Sequence, residues 1–381
     1  MELETVKLIM DKTIADHAEN GAAAVITKNG EEVFSCAAGL ADVEGGVPFT
    51  EETICRAFSC SKIVTATAAI QLIEKGKLDT SWELGWIIPE FSEAFYIREG
   101  KKIPSPKIKI RDLLNMTSGI AYPGDGHEGI EGMNDLWGEL DKSIKDGKSM
   151  TTAEFAAKAG RQPLMFAAGD EWMYGTSADI MGAVIEKVSG QRFGDYLKEN
   201  IFDPLGMNDT AFYVPKGKSG RLAVLYENTA TPPKRPDWVN LCIYDYDKPP
   251  AFESGGAGLF TTARDLSKLG AELSCGGKGV ISRSAVRFMQ QNGLTDEQKQ
   301  TFNWDSCRGF GYANFMRIHE DPNVSGLMAS KGAFGWDGWT GTFLLNDPQD
   351  KISVTVFVQR TGAGTTQLAR SIVNAAYAAL V

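Results

Sequence analysis

Histidine is scarce in this sequence, and its few histidines do not form the patterns of catalytic or metal-binding sites. The 381 residues include three: we expect His17 on an N-terminal helix, His127 in a Gly-rich loop and His319 in a polar turn. The sequence contains no Gly-x-Ser-x-Gly, the motif whose serine nucleophile is activated by a histidine. No His-x-x-x-His, His/Cys cluster or calcium-type acidic loop occurs. These absences argue against a Ser–His–Asp enzyme and against a metalloenzyme.

The sequence also lacks the usual features of nucleic-acid, nucleotide and membrane binding. Asp and Glu number 49 against 39 Lys and Arg, a formal net charge of −10, and there is no dense basic run. No Gly-rich loop has the spacing that cradles a phosphate, and no apolar run is long enough to span a bilayer. We also expect no signal peptide, because the first residues contain no apolar core. We therefore predict no cofactor, no nucleic-acid partner and no membrane association.

Paired cysteines are absent as well. The six cysteines are scattered without a Cys-x-x-Cys, which predicts free and mostly buried thiols in a reducing compartment. The sequence thus predicts a cytoplasmic protein and an inert, buried Cys60, and it says nothing of the oligomeric state. The cysteines are Cys36, Cys55, Cys60, Cys242, Cys275 and Cys307.

Strand patterns lie at both ends of the chain, and helical patterns fill the middle. Asn29-Gly30 between two apolar runs is typical of a two-residue hairpin. The pattern favours an α+β fold, with a mostly antiparallel sheet flanked by N- and C-terminal helices. We predict strands over 22–28, 31–36, 342–345 and 352–358, and helices over 3–18, 63–75, 180–190, 193–201, 263–273 and 365–380.

The length and this arrangement predict two subdomains. Residues 1–58 and 216–381 would form the sheet subdomain, and residues 59–215 an inserted, mainly helical one. Residues 228–250 carry five prolines and several aromatic side chains, which indicates an irregular loop and not a linker. Because active sites favour clefts between subdomains, we expect the site at the junction, near residue 59.

Ser59 and Lys62 form the one Ser-x-x-Lys of the sequence, at the start of an Ala-rich helical segment that ends at Gly76. Side chains three residues apart lie on one face of a helix. An amine with a lowered pKa can take the proton of a serine hydroxyl, and a helix N-terminus favours developing negative charge. The pattern therefore suggests a serine nucleophile that works without histidine.

Several further segments, in the same order along the chain, make it resemble the serine β-lactamase and D-alanyl-D-alanine carboxypeptidase superfamily, in its class C-like branch. The second signature of that superfamily, Tyr-x-Asn, is similar to Tyr174-Gly175-Thr176. The third, Lys-Thr-Gly, is similar to Trp336-Asp337-Gly338. The resemblance extends over essentially the whole chain and includes residues 113–119, 180–210 and 254–259.

This resemblance implies a β-lactamase/transpeptidase-like fold and a three-part catalytic site. Ser59 would be acylated, Lys62 and Tyr174 would share the proton transfers, and the backbone N–H groups of Ser59 and Trp339 would hold the oxyanion. An ammonium about 4 Å away favours a phenolate by about 4 kcal/mol, enough to lower a tyrosine pKa from about 10 to about 7. The pair titrates together, so the sequence leaves open which group accepts the proton.

Two departures from the superfamily's pattern bear on the substrate. Thr176 stands at the Asn of Tyr-x-Asn, and Trp336 stands at a Lys that lies near the substrate carboxylate in the lactam and D-Ala-D-Ala enzymes. Losing that charged contact removes about 1.5–3 kcal/mol, and an aromatic face suits a neutral, apolar group. Tyr-x-x-x-x-Asp, here Tyr174 to Asp179, with Trp-x-Gly is the pattern of family VIII carboxylesterases. The resemblance therefore implies a carboxylesterase acting on short-chain neutral esters.

Other readings stay open. The same fold serves β-lactamases, D-amino-acid peptidases or carboxypeptidases and amide-oligomer hydrolases, and a non-catalytic sensor or assembly protein could also retain it. Asp179 could be a structural carboxylate or a substrate contact. The residues that we predict to bind the small ester or amide substrate are Trp336, Asp337, Gly338, Tyr122, Thr176 and Tyr244.

Overall fold

The computed structural model describes residues 2–228, 232–277 and 279–381. Its strands are β1 (Gly21–Lys28), β2 (Glu31–Asp42), β3 (Val47–Pro48), β4 (Cys55–Arg56), β5 (Phe95–Arg98), β6 (Lys101–Pro104), β7 (Phe260–Thr261), β8 (Phe310–Ala313), β9 (Met316–His319), β10 (Phe334–Asp337), β11 (Phe343–Asp347) and β12 (Ile352–Phe357). Eight of them form one antiparallel sheet in the order β3-β2-β1-β12-β11-β10-β9-β8. The pairs β4–β7 and β5–β6 form two small sheets.

The predicted N-terminal hairpin is present. Asn29 and Gly30 have φ of 56° and 87°, the left-handed values that a tight two-residue turn between twisted strands requires. On its other side β1 pairs with β12, where Val25 lies opposite Thr355. The sheet therefore joins the beginning and the end of the chain at its centre, as strand patterns at both ends predict.

The helices are α1 (Glu4–Ala15), α2 (Ser61–Glu74), α3 (Leu84–Ile87), α4 (Ile110–Leu114), α5 (Glu131–Lys145), α6 (Thr152–Ala159), α7 (Ser177–Ser189), α8 (Phe193–Leu197), α9 (Asp203–Leu205), α10 (Ala263–Ser274), α11 (Arg283–Met289), α12 (Asp296–Lys299), α13 (Pro322–Ser325) and α14 (Gln367–Leu380). Helices α1 and α14 pack on one face of the large sheet, and α10 packs on the other. The predicted α+β fold, with terminal helices flanking an antiparallel sheet, is confirmed.

Helix α2 lies inside the molecule, with twelve of its fourteen residues buried. It packs on α7 and touches β10, so it connects the inserted helices to the sheet. One continuous cluster of buried apolar side chains includes the α10 face of the sheet, α2 and the helices of the middle segment. The division into subdomains at residues 59 and 215 stays a prediction, since this core continues through the junction.

Several sequence expectations need correction. The middle segment contains the β5–β6 hairpin, and β8 and β9 were not predicted. His319 is buried in β9 and not in a polar turn; its ring nitrogens lie 2.6 Å from Ser325 Oγ and 3.0 Å from Ser330 O. His17 lies beyond the end of α1, with a left-handed φ of 56°, while His127 is on an exposed loop as expected. These short strands escape sequence analysis because four-residue apolar runs carry little periodicity.

The aromatic loop is irregular over residues 232–250, as predicted, while residues 229–231 of it lie outside the described part of the chain. None of the six cysteines forms a disulfide, and five of them, including Cys60, are buried. Across the described residues, no helix combines the length and apolar character needed to cross a membrane.

Candidate active site

Ser59 lies in a single 3-10 turn, Phe58–Cys60, that runs directly into α2. The preceding residue, Phe58, has φ of 43°, a value that bulky side chains rarely adopt. The N–H groups in the first turn of a helix have no acceptor within the helix. The Ser59 N–H is therefore oriented for an acceptor in front of the helix, beside its own hydroxyl, and the residue is 8% exposed.

Lys62 is fully buried one turn after Ser59. Its Nζ lies 3.2 Å from Ser59 Oγ and donates to Gly256 O at 2.7 Å and to Tyr122 Oη at 3.0 Å. Burial lowers the pKa of Lys62 from 10.5 to about 7, and the charge of Asp179 opposes this shift. A substantial share of Lys62 is therefore a neutral amine near pH 7, within hydrogen-bond reach of the serine hydroxyl.

Tyr122 and Asp179 form a support behind Lys62. The Tyr122 hydroxyl accepts from Lys62 and donates to Asp179 Oδ2 at 3.4 Å. The Asp179 carboxylate is fully buried and also accepts from Ser254 Oγ at 2.5 Å and from the Gly256 N–H at 3.1 Å. Asp179 thus fixes the Gly256 backbone, whose carbonyl accepts from Lys62. Of the two roles considered for Asp179, a structural carboxylate or a substrate contact, these hydrogen bonds favour the structural one. The predicted substrate contact of Tyr122 is not supported for its hydroxyl, which both neighbours occupy.

Tyr174 lies on the other side of Ser59. Gly175, the next residue, pairs with Ala121 across a short bridge, where a Cβ would lie 2.1 Å from Ile120 O. This close approach fixes the backbone beside Tyr174, whose hydroxyl accepts from Trp336 Nε1 at 3.0 Å. Burial raises the pKa of Tyr174, and the hydrogen bonds with Ser59 and Trp336 oppose the rise only in part. Lys62 Nζ lies over the Tyr174 ring, 4.6 Å from its centroid.

The third signature is bound to the backbone that precedes Ser59. Thr342 Oγ1 donates to Ala57 O at 2.6 Å, and Thr340 Oγ1 donates to Arg56 O at 2.8 Å. Gly338 permits this approach, because a Cβ there would lie 2.3 Å from Ala57 O. Within the described residues, the Trp339 N–H has no acceptor in the protein. The Trp339 and Ser59 N–H groups are therefore placed by segments that hydrogen bonds hold together, as a predicted oxyanion hole requires.

Two predicted substrate contacts in this segment have side chains that protein neighbours already engage, and their contact with a substrate stays a prediction. Trp336 is 3% exposed: its ring stacks on Tyr174 with centroids 5.5 Å apart, and the Arg317 guanidinium lies 4.7 Å from the indole centre. The Asp337 carboxylate binds Arg317 and the Thr365 hydroxyl. Neither the indole face nor the carboxylate is open to a substrate, because neighbouring side chains occupy both.

Thr176 and Tyr244 differ in how open their side chains are to a substrate. Thr176 is fully buried and its hydroxyl donates to Ala121 O at 2.5 Å; its substrate contact stays a prediction. Tyr244 lines a cleft of about 470 Å³ beside Phe58, Trp238 and Trp339, and its hydroxyl donates to Asp141 at 2.5 Å. A substrate contact by the Tyr244 ring stays a prediction.

Two residues of the site escaped sequence analysis. Trp304 is 43% exposed and lies 5.3 Å from the Tyr174 ring, edge to face, which places an open aromatic surface beside the predicted catalytic tyrosine. Arg317 is the buried cation beneath Trp336. Neither belongs to a motif, and only the fold brings these distant segments to Tyr174. In the described chain, no group of three or more His, Cys, Asp or Glu side chains is arranged to hold a metal ion.

Comparison with known proteins identifies the family of this chain. The Beta-lactamase family model matches residues 6–378. The chain belongs to the beta-lactamase family. Esterase EstB of Burkholderia gladioli is 27% identical over 351 residues, 87% of this chain and 84% of its own. Lovastatin esterase of Penicillium rubens is 26% identical over 306 residues, 75% of this chain and 74% of its own.

A solved member of the same fold is described as "EstCE1, a hydrolase with promiscuous acyltransferase activity". It superimposes with a TM-score of 0.83 at 26% identity and covers 98% of each chain. The predicted family, fold and class of serine hydrolase are thereby confirmed for this beta-lactamase family member. The individual site residues stay predictions.

Proposed function

We propose that this serine hydrolase cleaves short-chain neutral esters through an acyl-enzyme on Ser59. The observation that carries the proposal is the position of Lys62, whose Nζ is fully buried and lies 3.2 Å from Ser59 Oγ. Burial also brings the pKa of this amine to about 7, so it can accept a proton at neutral pH.

In acylation, neutral Lys62 takes the Ser59 proton while Oγ attacks the ester carbonyl. The Ser59 and Trp339 N–H groups receive the negative charge of the tetrahedral intermediate. The bond to the alcohol then breaks, Tyr174 gives its proton to the departing oxygen, and the Lys62 ammonium restores the Tyr174 proton. In the second half, water attacks the acyl-enzyme while Lys62 takes its proton; the bond between the acyl carbon and Ser59 Oγ then breaks, the acid leaves, and the Lys62 ammonium returns the proton to Ser59 Oγ.

This assignment makes Lys62 the proton acceptor and not Tyr174. The phenolate hypothesis requires a lowered tyrosine pKa, but burial raises the pKa of Tyr174. A tyrosine that keeps its proton is suited to donate it.

The surroundings of the site favour a neutral substrate. Where related lactam and peptide enzymes have a lysine, Trp336 is buried, and the nearby guanidinium of Arg317 is paired with Asp337. Arg56, which lines the adjacent cleft, is likewise paired with Asp245. A substrate carboxylate would therefore have to displace an existing partner. The exposed faces of Trp238 and Trp304 offer apolar contacts on either side.

The nucleophile is tested with a fluorophosphonate probe and Ser59→Ala, which should lose both labelling and ester hydrolysis. Ser61→Ala is the matched control, because the Ser61 hydroxyl accepts from the Leu259 N–H and should leave labelling intact. Stoichiometric labelling of Ser59→Ala would refute the assignment.

Substrate class is decided by assaying p-nitrophenyl acetate and butyrate beside nitrocefin and D-Ala-p-nitroanilide. Faster turnover of nitrocefin or the anilide would favour a lactamase or D-peptidase, and a stable acyl-enzyme without turnover would favour a sensor. We also propose a cytoplasmic location, because none of the six cysteines forms a disulfide.

A further inference from the structure

Arg56 is a buried cation that lies three residues before Ser59. Its side chain is 10% exposed, and its Nη1 donates to Ala223 O at 2.8 Å. Its backbone N–H donates to the side chain of the buried Gln359 at 3.1 Å, so several contacts fix its place. The remaining edge of the guanidinium, Nε and Nη2, donates to the Asp245 carboxylate at 2.5–2.9 Å. Arg56 is therefore fixed by the core and presents one fork to a carboxylate.

Asp245 meets this fork from the solvent side. Its side chain is 54% exposed and belongs to the irregular loop over residues 232–250. Arg56 and Asp245 both line the cleft of about 470 Å³ that also includes Phe58 and Trp339. The edge of a guanidinium matches the two oxygens of a carboxylate, whichever molecule supplies them. Asp245 thus fills a carboxylate site that opens on the cleft.

This cleft is on the side of the site that the acyl group of an ester would enter. Trp339, which lines it, carries one of the two N–H groups proposed to hold the carbonyl oxygen. Tyr174, proposed to protonate the departing alcohol, lies on the other side of Ser59, so the alcohol would leave there. The acyl chain is then directed past Trp339 towards Arg56 and Asp245.

The charges that line the cleft oppose a second carboxylate. Arg235, which also lines it, pairs with Glu44 at 2.9 Å, and Arg56 pairs with Asp245. An acyl chain that ends in a carboxylate would be repelled by Asp245 and would find both guanidinium groups engaged. Removing one partner of a buried ion pair leaves the other charge uncompensated. Without the Asp245 carboxylate, the Arg56 fork would therefore bind such a chain.

We propose that Asp245 is a specificity-determining residue, which closes a carboxylate site at Arg56 and so restricts the cleft to acyl groups without a negative charge. The proposal rests on the proposed function, in which Ser59 forms an acyl-enzyme. It names the substrate class that an Asp245 variant gains: monoesters of dicarboxylic acids, whose free carboxylate takes the place of the Asp245 side chain on Nε and Nη2. The acyl transfer to Ser59 is the same in both cases.

The test compares p-nitrophenyl hydrogen adipate and suberate with their neutral methyl esters, in the unmodified protein, Asp245→Ala and Asp245→Asn. The ratio of kcat/KM for the acid to kcat/KM for the methyl ester should rise about tenfold in Asp245→Ala, because a hydrogen bond between charged groups becomes available. Asp245→Asn keeps the size of the side chain and removes only the charge, so it should show a smaller rise. Asp247→Ala is the matched control: Asp247 lies in the same loop, pairs with Lys216, and should leave the ratio unchanged.

A second measurement separates carboxylate binding from a general change in the cleft. Hexanoate should inhibit the hydrolysis of p-nitrophenyl acetate about tenfold more strongly in Asp245→Ala than in the unmodified protein. Adding Arg56→Gln to Asp245→Ala should abolish this gain, because the cation is then absent.

A ratio that stays constant in both Asp245 variants would overturn the proposal. So would an unmodified protein that cleaves the acid as fast as the methyl ester. If the unmodified protein instead cleaves no neutral p-nitrophenyl ester and takes no fluorophosphonate label, the acyl-enzyme itself is refuted, so the two failures are distinguishable.

Discussion

Ser59 follows a residue whose backbone is strained. Phe58 is a buried aromatic residue with φ of 43°, a conformation that costs about 1–3 kcal/mol outside glycine. Its ring packs on Trp339 with centroids 5.1 Å apart. This packing keeps Phe58 in its strained conformation, and the Trp339 N–H is the group proposed to complete the oxyanion hole. The two proposed oxyanion donors are therefore coupled through one aromatic contact.

The protonation of Lys62 predicts how activity depends on pH. Burial lowers its pKa to about 7, and only the neutral amine can accept the Ser59 proton. We therefore expect kcat/KM for p-nitrophenyl acetate to rise with pH through a midpoint near 7 and then level off. Lys62→Arg should lose at least about 100-fold, because the guanidinium stays protonated. A pH–rate profile for each protein checks this.

The variant Asp179→Asn tests the direction in which Asp179 shifts the pKa of Lys62. The Asp179 charge favours the Lys62 ammonium, so its removal should move the rising limb to lower pH. An optimum near pH 5 in the unmodified protein, or a limb that moves to higher pH in Asp179→Asn, would contradict the role of Lys62.

At the scale of elements, the site depends on how closely β10 and the turn after it approach the residues before α2. Gly338 is the point of closest contact. A Cβ at this position would lie 2.3 Å from Ala57 O and 2.1 Å from Thr342 Oγ1. Both atoms belong to one hydrogen bond. A methyl group here must push the two segments apart and cannot be absorbed by a flexible side chain.

Gly338→Ala should therefore reduce ester hydrolysis by about 100-fold and destabilise the fold by about 1–3 kcal/mol, as overpacking and small misplacements do. Kinetics with p-nitrophenyl acetate and urea unfolding measure the two effects. Gly138→Ala is the matched control: it lies in α5, where a Cβ would meet nothing within 4 Å, and it should retain full activity. Unchanged activity in Gly338→Ala would contradict the proposed oxyanion geometry.

Motifs and single long elements were predictable from the sequence, whereas their contacts were not. The hairpin at Asn29-Gly30, helix α2 and the Ser59–Lys62 pair each follow from local patterns. Trp336 was recognised as a departure from a known pattern, but its burial under Arg317 depends on β9, a strand too short for periodicity to reveal. The hydrogen bonds of Thr176 to Ala121 and of Asp337 to Arg317 were not predictable, because each joins segments that are distant in the sequence.

At the scale of the whole molecule, a buried ion pair links the chain just before β1 to the chain just after β12. The Glu19 side chain is 4% exposed and accepts from Arg360 Nη2 at 2.9 Å. Burial raises the pKa of Glu19 from 4.5 to about 7, and Arg360 opposes the rise. The folded protein thus holds a proton here that the unfolded chain has lost above about pH 4.5.

By linkage, the stability from this group is full below pH 4.5 and is lost as pH rises through about 7. The shift of about 2.5 units sets an upper limit of about 3 kcal/mol. Glu19→Gln should therefore lose less free energy of unfolding between pH 5 and pH 8 than the unmodified protein, as measured by urea titration. Glu171→Gln, at an exposed loop position, should follow the unmodified protein. If Glu19→Gln instead loses as much free energy of unfolding as the unmodified protein over this pH range, Glu19 does not contribute to the pH dependence of stability.

The pairing of β1 with β12 has a consequence for how the protein is made. The proposed site takes Ser59, Tyr174 and Trp339 from three segments that are synthesised in that order, each more than 100 residues after the one before. While the chain emerges from the ribosome, β1 waits for a partner more than 300 residues away, and long-range pairing of this kind is slow. A nascent chain halted before β10 would hold Ser59 without its oxyanion partner. Chemical competence should therefore arise only after β10 and the turn that follows it have joined the sheet.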